Sequence, residues 1–326
     1  MKPTLLLVAL LSTVMICLAT PVYSQDVQLR EEAVRLLEKA DAVSTSPKLP
    51  NLERTDTFRV YGSDSIQEGN FSRIVIQGTG VRDEYTLGDD HLVNVFTRGQ
   101  RAVAGTARVV PPTMMTLLRI TPIDRVRFDH EDVIHSITNR EVGGHPARCI
   151  QFDTIGGHRT DSNEICVDSA NGTLVSENLR GALIENSDFF PFAGALVPGK
   201  IRYSEAGVLK MEITQTMTEL TDATPNVLAA PPNALIRKRC TTYRRPFGVS
   251  IPQPKPGNDG GEAEIIVRGV IGVDGRVRDA IIQSSERPDL NTEALGLIQH
   301  WVFTPALCNG VPNTTEASFA LHFEGR

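Results

Sequence analysis

Between residues 55 and 221 the chain is a succession of short segments in which apolar and polar residues alternate, with turn residues between them. Alternation with a period of two predicts β-strands that bury one face. Strands are predicted at 58–60, 74–76, 83–87, 92–96 and 101–103. Asn171-Gly172 and Ala206-Gly207 are typical of hairpin turns. The pattern therefore predicts a curved antiparallel β-sheet domain over residues 51–222.

Two segments have the apolar spacing of helices instead. Residues 25–43 place apolar side chains at helical intervals among Glu, Arg and Lys, which predicts an amphipathic helix within residues 25–46. The apolar stretch that begins at Met114 follows Pro111-Pro112. Because proline is favoured in the first turn of a helix, a second helix is expected there.

Residues 223–260 are rich in proline and glycine and lack a periodic apolar pattern. This composition is typical of an extended linker. The run Arg237-Lys238-Arg239 makes the segment locally basic. The simplest interpretation of this basic run is that its side chains lie in solvent.

Residues 261–326 combine both periods. Apolar residues alternate from Ile265 to Val273, Asp274-Gly275 is a hairpin signal, and a second strand is expected from Val277. Apolar residues then recur at helical intervals from Leu290 to Trp301, before two further strands. The order is β–β–α–β–β, and the whole chain is assigned to the α+β class.

Length and charge limit the kinds of protein that this chain can be. At 326 residues it exceeds one ordinary core, which favours two folded units. Its formal net charge is −6. An acidic chain creates no overall attraction for phosphate backbones, so we expect no nucleic-acid partner.

The N-terminus has the layout of a secretory signal peptide. Lys2 precedes an apolar run over residues 5–19, and Val22 and Ser24 are suited to positions −3 and −1 of a cleavage site. We therefore predict a signal peptide over residues 1–24, cleaved after Ser24, and export of the chain. An uncleaved membrane anchor is the alternative, but the run is shorter than the ~20 residues that span a bilayer.

Export to an oxidising compartment makes disulfides the expected state of Cys149, Cys166, Cys240 and Cys308. Cys149 and Cys166 lie in predicted strands, and pairing them centres a hairpin on Gly157 and His158. A Cys149–Cys166 disulfide is therefore predicted. A metal site formed by these two cysteines with His145 and His158 is the competing interpretation. Pairing of Cys240 with Cys308 stays open.

The C-terminal segment resembles the C-terminal domain of the TonB energy-transducer family. The matching residues are Val273-Asp274-Gly275-Arg276-Val277, Leu290-Asn291-Thr292-Glu293-Ala294-Leu295, His300-Trp301-Val302-Phe303-Thr304-Pro305-Ala306, Asn309-Gly310-Val311-Pro312 and Phe323. The resemblance implies action in the periplasm of a Gram-negative bacterium. It also implies binding of an envelope protein, such as a TonB-dependent outer-membrane transporter, by addition of a strand. Such a protein would be linked to transport across the outer membrane.

The resemblance places the partner-binding edge in the last strand, at Ala317, Ser318, Phe319, Ala320, Leu321 and His322. TonB proteins that transmit energy carry an N-terminal membrane helix and a long proline-rich spacer, whereas this chain has a predicted cleavable signal and a folded domain. A stand-alone binding role is therefore expected.

The middle region resembles periplasmic lipoprotein-carrier and lipoprotein-sorting proteins, in which a curved sheet surrounds an apolar cavity. The resemblance rests on the segment Gly80-Val81-Arg82-Asp83-Glu84, the hairpin of Cys149 and Cys166, the segment from Ile184 to Phe189, and Pro198. It implies an apolar pocket for a lipid-like ligand, lined by Met114, Met115, Leu117, Leu118, Phe189, Phe190 and Phe192. The alternative is that these side chains form an ordinary core.

The sequence contains only weak indications of a catalytic site. His130 and His135 are five residues apart, whereas the zinc-protease helix motif requires four. Asp161, Asp168 and Asp188 with His145 could be combined into a catalytic triad, but any chain of this length permits such a combination. We predict a protein without catalytic activity, metal or cofactor. The alternatives are a secreted hydrolase with its site in the middle domain and a structural envelope protein.

Overall fold

The computed structural model describes residues 22–46, 48–63, 65–120, 128, 132–154, 163–221, 225–254 and 262–324. Predictions for residues 1–21, for His130 and Asp161, and for the turn at Gly157 and His158 lie outside these ranges. Within them, no helix is both long enough and apolar enough to cross a membrane.

The first part of the chain contains two helices and fourteen strands within the described ranges. They are α1 Val22–Ser44, β1 Leu52–Tyr61, β2 Ile66–Ile76, β3 Gly80–Leu87, β4 Asp90–Thr97, β5 Gln100–Gly105, α2 Pro112–Arg119, β6 Val133–Val142, β7 His145–Asp153, β8 Asn163–Asp168, β9 Leu174–Leu179, β10 Ala182–Ser187, β11 Phe190–Phe192, β12 Ala195–Val197, β13 Lys200–Glu205 and β14 Val208–Glu219.

The second part adds β15 Leu235–Lys238, β16 Tyr243–Arg244, β17 Phe247–Ser250, β18 Ala263–Ile271, β19 Val277–Ser285, α3 Asn291–Gln299, β20 Val302–Thr304, β21 Ala306–Cys308, β22 Val311–Asn313 and β23 Thr315–Phe323. Short 3-10 turns lie at Pro225–Leu228 and Pro288–Leu290.

Thirteen of the described strands form one antiparallel sheet, which we call the large sheet. Its order is β15-β5-β4-β3-β2-β1-β14-β13-β10-β9-β8-β7-β6. Most neighbours in this order are also neighbours in sequence, as expected for a meander. The strands predicted between 58 and 103 all lie within β1–β5, so the antiparallel prediction for this region is confirmed.

Both early helices pack on the same face of the large sheet. Tyr203 of β13 lies opposite Ile184, and the row of directly opposed residues continues through β9 to Ile165 and Ile150. Directly opposed residues share a face. Met114 of α2 packs in the cluster that contains Tyr203, and Leu37 of α1 packs in the cluster that contains Ile150 and Ile165.

The segment predicted as a linker differs from the prediction because it pairs with distant strands. β15 extends the large sheet beside β5, while β16 and β17 pair with β21 and β20. A Cys240–Cys308 disulfide attaches the segment to the C-terminal region, and Trp301 Nε1 donates to the Pro252 carbonyl over 3.0 Å. Arg237 is also not in solvent, because its side chain is only 9% exposed.

The C-terminal domain is built on a second sheet, the small sheet, with the order β19-β18-β23 among the described strands. One face carries α3, whose Ala294 and Ile298 pack against Val267, Phe319 and Leu321. The β18–β19 turn uses Gly275 at φ 76°, where an added Cβ would come within 1.8 Å of the Phe303 carbonyl oxygen. The helix and hairpin predicted here are present, but β20 pairs with β17 and lies outside the small sheet.

Candidate functional site

Strand β23 forms one edge of the small sheet. It pairs with β18 over nine consecutive residues without a register shift, from Thr315 opposite Ile271 to Phe323 opposite Ala263. On its other side, no strand of the described chain is paired with it. The outer side of an edge strand carries backbone N–H and C=O groups that no sheet partner occupies.

The side chains of β23 alternate between the core and solvent. Phe319 and Leu321 are buried against α3, whereas Ser318, Ala320 and His322 are exposed on the face that carries no helix. Of the predicted edge residues, the buried pair therefore fixes the strand to its domain, and the exposed residues are mostly small.

The other edge, β19, is built differently. Its register with β18 shifts at two places, between Ile266 and Val267 and between Arg268 and Val270. Asp279 has a φ of 51°, and Arg278 beside it is exposed. Bulges and charges of this kind discourage pairing with a further strand. The two edges of the small sheet therefore differ in their readiness to accept a strand.

Near the start of β23, Glu316 connects the two sheets. Its carboxylate lies 2.9 Å from Arg101 Nη1 of β5, 2.7 Å from Arg237 Nη1 of β15 and 3.1 Å from Arg268 Nη2 of β18. We call these four residues the arginine cluster. The Glu316 side chain is 8% exposed and that of Arg237 is 9% exposed. The cluster therefore lies mostly out of water, at the contact between the large sheet and the C-terminal domain.

Burial and neighbouring charges have opposing effects on the pKa values of the arginine cluster. Burial alone would raise the pKa of Glu316, but the charges of Arg101 and Arg237 outweigh it and lower the pKa to about 2. Burial lowers the pKa of Arg101, and the neighbouring charges of Arg237 and Arg268 lower it further against the opposite effect of Glu316. Glu316 is thus ionised over the whole physiological range.

A row of polar side chains continues from the cluster across the helix-bearing face of the large sheet. Arg101 Nε donates to Asn94 Oδ1 over 2.8 Å, and Asn94 lies opposite Asp83. Asp83 accepts from Arg73 over 2.7 Å, and Arg73 lies opposite Arg54 of β1. The row is closed by the side chains of Asp56 and Gln215, which are buried like those of Arg54, Asp83 and Asn94.

The pKa values of the two buried carboxylates at the ends of this row are shifted in opposite directions. Burial raises the pKa of Asp56 more than Arg54 and Arg73 lower it. Glu316 faces three guanidinium groups and its pKa is lowered. At the Glu316 end, three guanidinium groups therefore face one ionised carboxylate.

The predicted apolar pocket residues lie in three places. Met114 and Leu117 are fully buried under α2, with Met115 and Leu118 packed at the margin of the same cluster. Phe189 packs instead beside Cys149 and Cys166. Phe190 and Phe192 lie in the separate β11–β12 hairpin. The structure therefore groups the α2 residues but does not bring the phenylalanines to them.

The predicted disulfide is present between Cys149 and Cys166, which lie directly opposite each other on β7 and β8. Glu164 lies close to both sulfur atoms. Sulfur atoms that are joined to each other cannot act as thiolate ligands, so these cysteines do not form the alternative metal site.

The polar residues considered for catalysis have structural contacts. His145 Nδ1 lies 3.0 Å from Asp168 Oδ2. Asp168 also accepts the backbone N–H groups of Ala170 and Asn171, which shapes the turn before β9. Asp188 pairs with Lys200, and His135 with Asp153, over 2.6 and 2.8 Å. Asp168 thus contacts His145, but Asp188 pairs with Lys200, so the two aspartates do not come together on His145.

Comparison with known families identifies the C-terminal domain. Residues 258–324 match the family described as Gram-negative bacterial TonB protein C-terminal. This confirms the resemblance that the sequence predicts for the region, which we call the TonB-type domain from here on. None of the curated proteins matches the chain.

Solved structures similar to the chain include envelope proteins. A putative outer-membrane lipoprotein-sorting protein domain from Vibrio parahaemolyticus has 7% identity and a TM-score of 0.37, and covers 61% of this chain and 96% of its own. A LolA superfamily protein from Nitrosomonas europaea has 11% identity and a TM-score of 0.37, with coverages of 60% and 96%. A DUF1329 family protein from Desulfovibrio piger has 11% identity and a TM-score of 0.40, with coverages of 61% and 96%. The first two are proteins of the kind that the middle region resembles in sequence, and similarity at this level carries no argument about activity.

Sequence reasoning missed the arginine cluster and the polar row. Arg54 and Asp56 stand two residues apart on a strand, where side chains share a face, and that spacing is a signal for an ion pair within the strand. The contacts of Glu316 have no such signal, because Arg101 and Glu316 are 215 residues apart.

Proposed function

We propose that this protein is a non-catalytic binding protein of the Gram-negative cell envelope. Its TonB-type domain captures an extended segment of a partner by pairing with β23. The observation that carries the proposal is the regular outer side of this nine-residue edge strand, with which none of the described strands pairs. Main-chain hydrogen bonds would supply affinity with little demand on the partner's sequence.

The composition of β23 supports this role. Edge strands that must stay unpaired are commonly protected by lysine, proline or bulges. The sequence of β23 contains neither lysine nor proline, and its pairing with β18 has no bulge. The opposite edge, β19, is bulged and charged. A partner strand is therefore expected at one edge of the small sheet and not at the other.

The family match suggests the class of partner. A TonB-type domain favours an outer-membrane transporter that presents an extended periplasmic segment, and a role linked to transport across the outer membrane. The contact of this domain with the large sheet through Glu316 favours a stand-alone protein whose two parts act together.

Site-directed cross-linking tests the edge. Ala320→Cys places an exposed thiol on β23, and Ser284→Cys places a matched exposed thiol on β19. The probes are synthetic peptides from the periplasmic segments of TonB-dependent outer-membrane transporters, each with one cysteine moved along the sequence. We expect Ala320→Cys to form disulfides with cysteines at alternate peptide positions, because opposed strand residues alternate in face.

Ser284→Cys serves as the control and is expected to give only background cross-linking. Equal cross-linking at both edges, or cross-linking that ignores peptide position, would contradict strand addition at β23.

A second candidate function, binding of an apolar ligand by the β-rich domain, is favoured by the margin of the α2 core. Met115, Leu118, Val60, Leu87 and Ile184 pack there and are only partly buried. A ligand on this margin would remove more apolar surface from water.

Native mass spectrometry of the chain purified from its envelope tests this second candidate. We expect a bound lipid-like mass that Leu118→Asp removes and that Val208→Asp, at an exposed site on β14, retains. A protein that carries no added mass, or that keeps it in Leu118→Asp, would count against it.

A further inference from the structure

The arginine cluster contains more positive than negative charge. Three guanidinium groups, from Arg101, Arg237 and Arg268, face the single carboxylate of Glu316. Their side chains are 20%, 9% and 21% exposed. Charges removed from water to this extent are unfavourable unless opposite charge and hydrogen-bond acceptors surround them. One carboxylate provides two oxygens for three such groups.

The hydrogen bonds of Arg237 are incomplete. None of its three guanidinium nitrogens makes a well-aligned hydrogen bond within the described residues, although Nη1 lies at ion-pair distance from Glu316. Five N–H donors in a fixed planar arrangement match the oxygens of a carboxylate or phosphate. Arg237 is therefore a nine-tenths buried cation with donors that lack an acceptor.

Arg268 also has a poor partner. Its Nη1 lies 2.8 Å from the thioether sulfur of Met115 on α2, and a thioether is a weak acceptor. Only its Nη2 contacts Glu316. The cluster thus has unused donors on two sides, one on the β15 strand and one toward α2.

We propose that the arginine cluster is a binding site for a second oxyanion, a carboxylate or a phosphate group, held by Arg237 and Arg268 beside Glu316. Guanidinium groups bind such anions by charge-assisted, often bidentate hydrogen bonds. The position of Met115 next to Arg268 makes the site equally suited to a free anion and to the head group of an amphiphile whose apolar part lies along α2. The site does not depend on strand addition at β23.

Isothermal titration of the full chain with inorganic phosphate, at constant ionic strength maintained with chloride, tests the proposal. We expect saturable binding that Arg237→Gln weakens by about tenfold or more, since it removes the main unused donors. Glu316→Gln is expected to tighten phosphate binding by about tenfold, because it removes the competing carboxylate and keeps the shape of the side chain. Opposite effects at two neighbouring buried residues would not arise from a general loss of structure.

Arg278→Gln is the matched control, since this exposed arginine lies on the far edge strand β19 and is expected to leave the Kd unchanged. If Arg237→Gln does not fold, as judged by circular dichroism, Arg268→Gln replaces it and is expected to weaken binding in the same direction. Phosphate titrations that do not saturate in the wild-type chain, or binding that Glu316→Gln leaves unchanged or weakens, would overturn the site.

A parallel titration with dodecyl phosphate distinguishes the two sources of the anion. Tighter binding of dodecyl phosphate than of inorganic phosphate, reduced by Met115→Ser, supports an amphiphile head group. Equal affinities support a free anion.

Discussion

The two ends of the large sheet are held by different kinds of interaction. At the β6–β9 end, Ile150 and Ile165 pack under α1 and the Cys149–Cys166 disulfide joins two neighbouring strands. At the β15–β5 end, buried arginines and carboxylates carry the contact with the TonB-type domain. The first end is fixed by apolar packing and a disulfide, whereas the second combines a buried charge cluster with the Cys240–Cys308 disulfide that follows β15.

Because of this difference, we expect the two ends of the large sheet to respond differently to changes in solution conditions. Apolar packing does not titrate, and a buried disulfide does not respond to mild acid. A buried ion pair adds little net stability to the folded chain. Removal of either partner is nevertheless strongly destabilising, because it leaves an unpaired buried charge. At the end of the sheet that adjoins the candidate binding strand, the arginine cluster is therefore a place where pH, anions and single charge changes can act.

Removal of apolar packing at the β6–β9 end is expected to have the largest effect on stability. Ile150→Ala deletes a fully buried side chain from the cluster under α1 and should lower the free energy of unfolding by about 4 kcal/mol. Urea denaturation measures this value. Because no charge is involved, we expect the same loss at pH 7 and at pH 4.

Ile236→Ala is the control at the other end, since that side chain on β15 is 37% exposed and its truncation should cost about 0.5 kcal/mol. A cost for Ile150→Ala that grows strongly at low pH would show that the two ends are not independent.

The parts of the fold that local pattern determines could be predicted from sequence. Alternation identified β1–β5, helical spacing identified α1 and α3, and Asp274-Gly275 identified the β18–β19 turn, because each feature depends on neighbours in the chain. The disulfide between Cys149 and Cys166 followed from the expected antiparallel pairing of two strands that are near each other in sequence. The C-terminal domain was identified by resemblance.

Features that depend on distant pairing could not be predicted. The proline-rich segment looks unstructured locally, yet β15, β16 and β17 form because β5, β21 and β20 supply their partners. Arg237 lies in a basic run that indicates exposure, but alternation within β15 turns its side chain toward Glu316. Arg54 and Asp56 likewise occupy buried positions where pattern predicts apolar residues. The candidate site was predicted only as an edge strand, without the cluster that connects it to the large sheet.

Protonation of Glu316 by acid is expected to have a smaller effect on stability, at the β15–β5 end. The pKa of Glu316 is about 2 in the folded chain, below the ordinary value of 4.5 for a glutamate side chain. A lowered folded-state pKa contributes stability that is fully present above pH 4.5 and is lost as pH falls toward 2. Between pH 7 and pH 3 we expect Glu316 to account for a loss of about 2 kcal/mol in the free energy of unfolding.

Because other carboxylates titrate in the same range, the quantity to measure is the difference in urea stability between the wild-type chain and Glu316→Gln across this pH range. That difference should shrink as pH falls, and a difference that stays constant from pH 7 to pH 3 would mean that Glu316 is not held ionised by the arginines.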